Sequence, residues 1–146
     1  MHHFNTEIEH LITKQMALTK NKQMTEEEYR FIASLLADKK FLVFGTGLDS
    51  TLWREANKDG LTIFLEDSTK WIDSKDKDVY QVKYTSKLTE ADSLLEKYKN
   101  GNDHDLKIEL PTIVKNTKWD IILLTLLQGT NLIFTEECKV YLLQNF

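Results

Sequence analysis

The sequence is short of cysteine, proline, basic charge and long apolar runs, and each shortage excludes something. Its single cysteine, Cys138, rules out an intramolecular disulfide, so nothing in it speaks for an oxidising compartment. With no histidine or second cysteine at ligand spacing from Cys138, no metal site is expected. No apolar stretch approaches the roughly 20 residues a helix needs to span a bilayer. The opening, Met1-His-His-Phe4, lacks the basic and then apolar design of a signal peptide. The expected compartment is therefore cytoplasmic. Lys and Arg number 19 against 23 Asp and Glu, and a net charge of -4 argues against a general nucleic-acid or anionic-membrane surface. Proline occurs once, at Pro111, and there is neither an internal repeat nor a low-complexity segment. What remains is an ordinary globular composition, long enough at 146 residues for one domain with a sizeable core.

Glycine is also scarce, and two of the five stand together after the strongest apolar run. Phe41-Leu-Val-Phe44 has no helical period and reads as a fully buried strand. It ends in Gly45-Thr46-Gly47, and a helical pattern begins at Asp49, where Asp49, Ser50 or Thr51 can cap the new helix. A second strand, Leu61 to Leu65, closes on the acidic pair Glu66 and Asp67. Glu66 falls about 20 residues after the glycines, where nucleotide-binding α/β folds place a ribose-binding acid. A dinucleotide fingerprint would want a third glycine, and Asp49 is a poor neighbour for a pyrophosphate. An adenosyl ligand carrying an amino acid suits the site better, which points to S-adenosylmethionine. A different nucleotide-binding module is disfavoured by the missing glycine and the absence of a P-loop lysine.

The rest of the chain supplies helices and further strands. Residues 5–20 space Ile8, Leu11, Ile12, Met16 and Leu18 as an amphipathic helix. Thr25 and Glu28 form a capping box opening a helix with Tyr29, Phe31, Ile32, Leu35 and Leu36 on its inner face. Leu52, Trp53 and Ala56 should face inward from the third helix, which Gly60 ends as a left-handed stop. Val79–Tyr84 alternates as a strand, Thr89–Tyr98 reads as a helix with Ala91, Leu94, Leu95 and Tyr98 inward, and Leu106–Leu110 as a short edge strand. Pro111 starts a short helix or turn, Trp119–Leu127 is a second buried strand, and Cys138–Phe146 reads as a last helix. Strands alternating with helices imply an α/β, Rossmann-like fold with a mostly parallel sheet and helices on both faces. The expected organisation is a single domain, with residues 1–40 as helices packing on a cofactor-binding core of residues 41–146.

With those blocks in place, the sequence resembles the plant glucuronoxylan 4-O-methyltransferase family. The likeness rests on Gln23-Met-Thr25, Phe41 to Ser50 with Leu52-Trp53, and Thr62-Ile-Phe-Leu-Glu-Asp67 with Trp71-Ile72. It continues through Val82-Lys-Tyr-Thr85, Glu90-Ala-Asp92 with Leu94-Leu95, and Trp119-Asp-Ile-Ile-Leu123. The resemblance implies methyl transfer from S-adenosylmethionine to a sugar or uronic acid hydroxyl, as in xylan 4-O-methylation. It sets the methionine part of the cofactor by Gly45, Thr46 and Gly47, with Asp49 and Ser50 beside it. The ribose falls at Glu66, with Asp67 alongside, and Tyr84 and Thr85 fall near the adenine.

The sequence also departs from that family. Where the family reads Asp-Ala-Pro-Arg-Gly after the fourth strand, this chain reads Thr125-Leu-Leu-Gln-Gly129. An Asp there suits a base or a metal ligand and an Arg pairs bidentately with a uronate; Thr125 and Gln128, the candidate catalytic residues, keep hydrogen bonding without charge. The chain ends about where the family continues into further strands, and the plant enzymes' membrane anchor is absent. Asp103 and His104 are base-like but lie in a turn-rich surface loop. Trp53 and Trp119 suit core packing, while Trp71 suits stacking on adenine or sugar equally well. Two readings follow: a methyltransferase-like protein with a saccharide or small-molecule acceptor, or a catalytically inactive, truncated relative that binds cofactor or a partner. Strand edges left open by truncation lead to the expectation of a homodimer, which a monomeric mass by light scattering would contradict.

Overall fold

The computed structural model describes residues 5–18, 24–84, 88–101, 108–125, 130–135 and 140–144. Two helices, α1 (Thr6–Leu18) and α2 (Glu26–Leu35), precede the sheet. Then come β1 (Lys40–Phe44), α3 (Ser50–Ala56), β2 (Leu61–Glu66), β3 (Val79–Gln81), α4 (Ala91–Lys99) and α5 (Thr112–Asn116). The strands β4 (Ile121–Thr125), β5 (Thr130–Thr135) and β6 (Val140–Gln144) complete the order. The sheet runs β3-β2-β1-β4-β5-β6. Its first four strands are mutually parallel and β5 and β6 add antiparallel pairs. This is the mostly parallel, Rossmann-like α/β sheet the sequence implies. The chain winds outward from β1 through β2 to β3, then returns to lay β4 on the other side of β1. That reversal opens a crevice at the carboxyl ends of β1 and β4, where open α/β sheets bind ligands.

Alternation along the central strands sorts the core into two layers. Phe41 and Val43 of β1 pack with Ile12, Tyr29, Ile32, Leu52, Trp53 and Phe64 beneath α1, α2 and α3. Leu42 turns the other way and meets Ile63, Leu65, Val82 and Val114, the last from α5. Trp53 anchors the first layer, its ring 5.6 Å from Tyr29 and edge-on to Phe41 at 6.2 Å. The Thr25 capping box forms as expected: its hydroxyl accepts from the Glu28 N–H at 3.2 Å, and Glu28 accepts from the Thr25 N–H at 2.6 Å. Asp120 fixes the register of the central pair, accepting from the Lys40 N–H through Oδ2 at 2.8 Å while its own N–H donates to the Lys40 carbonyl.

Several expectations need correction. Val140–Gln144 is strand β6, not part of a helix, and is paired along its length with β5. Residues 108–110 form no strand, β3 ends at Gln81 and not at Tyr84, and β4 begins at Ile121 and not at Trp119, while Leu126 and Leu127 lie outside the described residues. Leu95 and Tyr98 of α4 are exposed, so the inward face read there is not buried. Leu18 is exposed at the end of α1. Gly60 is required for a different reason: a Cβ there would collide with the backbone of Lys39 and with Asn57 Oδ1. Close approach, not a left-handed turn, selects that glycine.

Candidate functional site

The glycine turn leaves β1 directly at the crevice. Gly45 has φ 105°, a region that side chains avoid, and its N–H donates to the Leu65 carbonyl at 2.6 Å. A Cβ at Gly45 would meet nothing within 4 Å, so the space before the turn is open to a ligand. The Gly47 N–H donates to Ser50 Oγ at 3.0 Å, and Ser50 is buried at the start of α3. Asp49 holds the N-cap position of α3 without a side-chain capping bond. Burial pushes its carboxyl above the ordinary range, and the Trp53 indole N–H works in the opposite direction. That indole N–H is itself buried and has no partner in hydrogen-bond geometry.

Glu66 closes the site from the tip of β2. Its Oε2 accepts from the Thr46 N–H at 2.8 Å and from the Thr46 hydroxyl at 2.9 Å, and Oε1 accepts from the Ser68 N–H at 2.8 Å. Burial would raise this carboxyl, but the donors at Ser68 and Thr46, with Asp67 beside them, hold it below the usual carboxylate range. The Thr46 hydroxyl also lies 3.1 Å from the Trp71 carbonyl oxygen. Trp71 and Tyr84 are exposed, as are Leu48 and Asp67. Burial, then the charges of Asp67 and Glu66, raise the Tyr84 phenol, so Tyr84 belongs to the same patch.

The structure thus gathers Gly45, Thr46, Gly47, Asp49, Ser50, Glu66, Asp67 and Tyr84 around one edge of the sheet. Thr125 is the last residue of β4, opposite Asn131 of β5, with its backbone at the carboxyl end of the strand next to β1. Thr85, Gln128, Asp103, His104 and Cys138 lie outside the described residues. Trp53 is core and Trp119 half-buried, donating its indole N–H to the Val114 carbonyl at 3.1 Å. Sequence reading missed Asn57. It is buried, accepts from the Lys39 N–H at 3.0 Å, and donates to the Lys39 carbonyl and Thr62 Oγ1, each at 2.9 Å. It also missed Arg54, whose two bonds to Asp78, 2.7 and 2.9 Å, tie α3 to the residue before β3. No group of three or more His, Cys, Asp or Glu suited to a metal is found among the described residues.

A parallel sheet with a glycine turn at its reversal point and a hydrogen-bonded acid on the neighbouring strand defines a Rossmann-like class of α/β domain. Comparison with known proteins narrows the class. The family model described as IRX15/IRX15L/GXM matches residues 27–134, and this chain belongs to that family. The chain is 34% identical over 118 residues to Arabinogalactan O-methyltransferase 1 of Arabidopsis thaliana, covering 67% of this chain and 40% of that protein. It is 38% identical over 86 residues to Arabinogalactan O-methyltransferase 2 of the same plant, covering 53% and 30%. To Glucuronoxylan 4-O-methyltransferase 2, also of Arabidopsis thaliana, it is 31% identical over 134 residues, covering 78% and 44%. The resemblance read from the sequence is borne out and extends to arabinogalactan enzymes. The chain spans less than half the length of these relatives. No solved structure matches. No helix among the described residues is long and apolar enough to cross a membrane.

Proposed function

We propose that this chain carries the cofactor-binding half of an S-adenosylmethionine-dependent O-methyltransferase acting on a saccharide hydroxyl. The single observation behind the reading is the glycine turn at the sheet's reversal point, open in front of Gly45 and hydrogen-bonded to the buried acid Glu66. The residues present fit the cofactor. Gly45, Thr46 and Gly47 would lie along its methionine part with Asp49 and Ser50 beside them, and the pair Glu66 and Asp67 offers carboxylate acceptors to a ribose diol. Tyr84, and Trp71 across the turn, supply exposed aromatic surface for adenine or for a sugar ring.

When bound, S-adenosylmethionine supplies an electrophilic methyl group. The chain's own part is to bind it, hold the acceptor hydroxyl in line and accept the proton released. Thr125 and Gln128 occupy the chain positions where the family carries an Asp and an Arg, and neither is a strong base. That departure is the ground for a second reading, a relative that binds cofactor and no longer transfers methyl groups, which the names of the O-methyltransferase relatives do not favour. Incubation with radiolabelled S-adenosylmethionine and either glucuronoxylan or arabinogalactan separates the two. Label on polysaccharide supports the enzyme; cofactor binding without transfer supports the inactive relative.

A further inference from the structure

Trp71 and Tyr84 are both aromatic and both exposed, at 54% and 44%, but they hang on different parts of the site. Trp71 ends the short turn Thr69–Trp71, and its backbone is tied to the glycine turn. Its carbonyl oxygen accepts from the Thr46 hydroxyl at 3.1 Å, and its N–H donates to the Ser68 carbonyl at 3.1 Å. Thr46 is held in turn by Glu66, so the indole is presented from a braced backbone. Tyr84 follows β3, which pairs with β2 on the side away from β1. An adenosyl ligand laid along this edge starts with its methionine part at Gly45–Gly47. It passes the tip of β2 with its ribose and reaches toward β3 with its adenine. The sulfur that carries the methyl group belongs to the methionine end. Trp71, fastened to the glycine turn, therefore stands at the methyl end, and Tyr84 at the adenine end. Leu48, 57% exposed in the same turn, widens the apolar surface at the methyl end. A pyranose ring has an apolar face of C–H groups and a rim of hydroxyls. An indole matches it with an apolar face and one N–H donor.

We propose that Trp71 is the platform for the acceptor, its indole face stacking on a sugar ring, and that Tyr84 is left to the adenine. This rests on the S-adenosylmethionine reading and deepens it, dividing the two exposed aromatic residues between acceptor and cofactor. Trp71 determines specificity: it orients a sugar ring beside the methyl group and takes no part in removing the proton.

The test is calorimetric titration with S-adenosylhomocysteine, then of the saturated protein with glucuronoxylan and arabinogalactan oligosaccharides. Trp71→Ala should weaken the oligosaccharide that binds by about fivefold and S-adenosylhomocysteine by less than about twofold. Tyr84→Ala should do the reverse, and Trp71→Phe, which keeps an aromatic face, should retain most of the saccharide affinity. Fluorescence gives a second readout. Of the three tryptophans Trp53 is buried and Trp119 half-buried, so Trp71 is the indole most open to acrylamide. The oligosaccharide should shield the wild-type emission from acrylamide and leave that of Trp71→Phe unchanged. The proposal is overturned if Trp71→Ala leaves saccharide affinity unchanged, or weakens S-adenosylhomocysteine as much as Tyr84→Ala does. It is also overturned if the wild-type chain binds S-adenosylhomocysteine and neither oligosaccharide. Failure to bind S-adenosylhomocysteine overturns the cofactor reading itself, which distinguishes the two failures. The Trp71 carbonyl, not its ring, makes the tie to Thr46, so the variants keep the turn.

Discussion

At the scale of single residues, the polar groups behind the site carry opposite electrostatic obligations. Glu66 is held below its ordinary value of 4.5, so its contribution to folding is present above that pH and is lost as pH falls through the lower folded value. Asp49 is raised above 3.8 by burial, so its ionisation opposes folding, and the penalty grows as pH rises past 3.8. Asp49→Asn should therefore melt at a higher temperature than wild type at pH 7, with the gain shrinking as pH falls toward 3.8 and gone below it. Thermal melts across that range check it; an unchanged or lower melting temperature at pH 7 contradicts it. Asn57 has a purely structural task. Replacing it with Ala removes its hydrogen bonds to the Lys39 backbone and to Thr62 Oγ1 from a buried position and should cost about 1–3 kcal/mol in a denaturant titration, with cofactor affinity of the folded protein unchanged. The sequence showed Asp49 as a cap or ligand, but its capping bond does not form. Asn57 was illegible because its partner Lys39 lies 18 residues away and only the β1–β2 register brings the two together.

At the scale of elements, the strand, turn and helix from Lys40 to Ala56 were readable because each local signal agrees with the others: an apolar run, two glycines, then a helical period. The two glycines are not equivalent. Gly45 needs φ 105°, whereas Gly47 would place a Cβ only at ordinary contact distance, 3.4 Å from Asp49 Oδ1. Gly45→Ala should lose about 1–3 kcal/mol of stability and Gly47→Ala markedly less. Equal losses in urea unfolding would sink that distinction. The end of the chain was misread for a physical reason. Val140-Tyr-Leu-Leu-Gln144 is a short apolar run, which fits a buried strand or a helix equally well until its partner is known. Helix α4 shows the converse failure, since its helical period exists but Leu95 and Tyr98 on it are exposed.

At the scale of the whole molecule, topology turns a modest motif into a site. A glycine turn and an acid 20 residues apart mean little in a linear chain. The parallel pairing of β1 with β2 brings Thr46 and Glu66 into hydrogen-bond contact, and β4 on the far side opens the crevice they border. Family membership came from blocks whose order matches that sheet: the glycine turn, the β2 acid and the Trp119–Leu123 segment all fall within residues 27–134. The chain spans less than half the length of its methyltransferase relatives. The most direct test of the central claim is calorimetric titration of the purified chain with S-adenosylmethionine, repeated on Glu66→Ala. The account predicts micromolar binding by wild type and at least about a tenfold loss in the variant, whose turn has lost its clamp. Absence of binding by the wild-type chain, or equal affinity in Glu66→Ala, would contradict it.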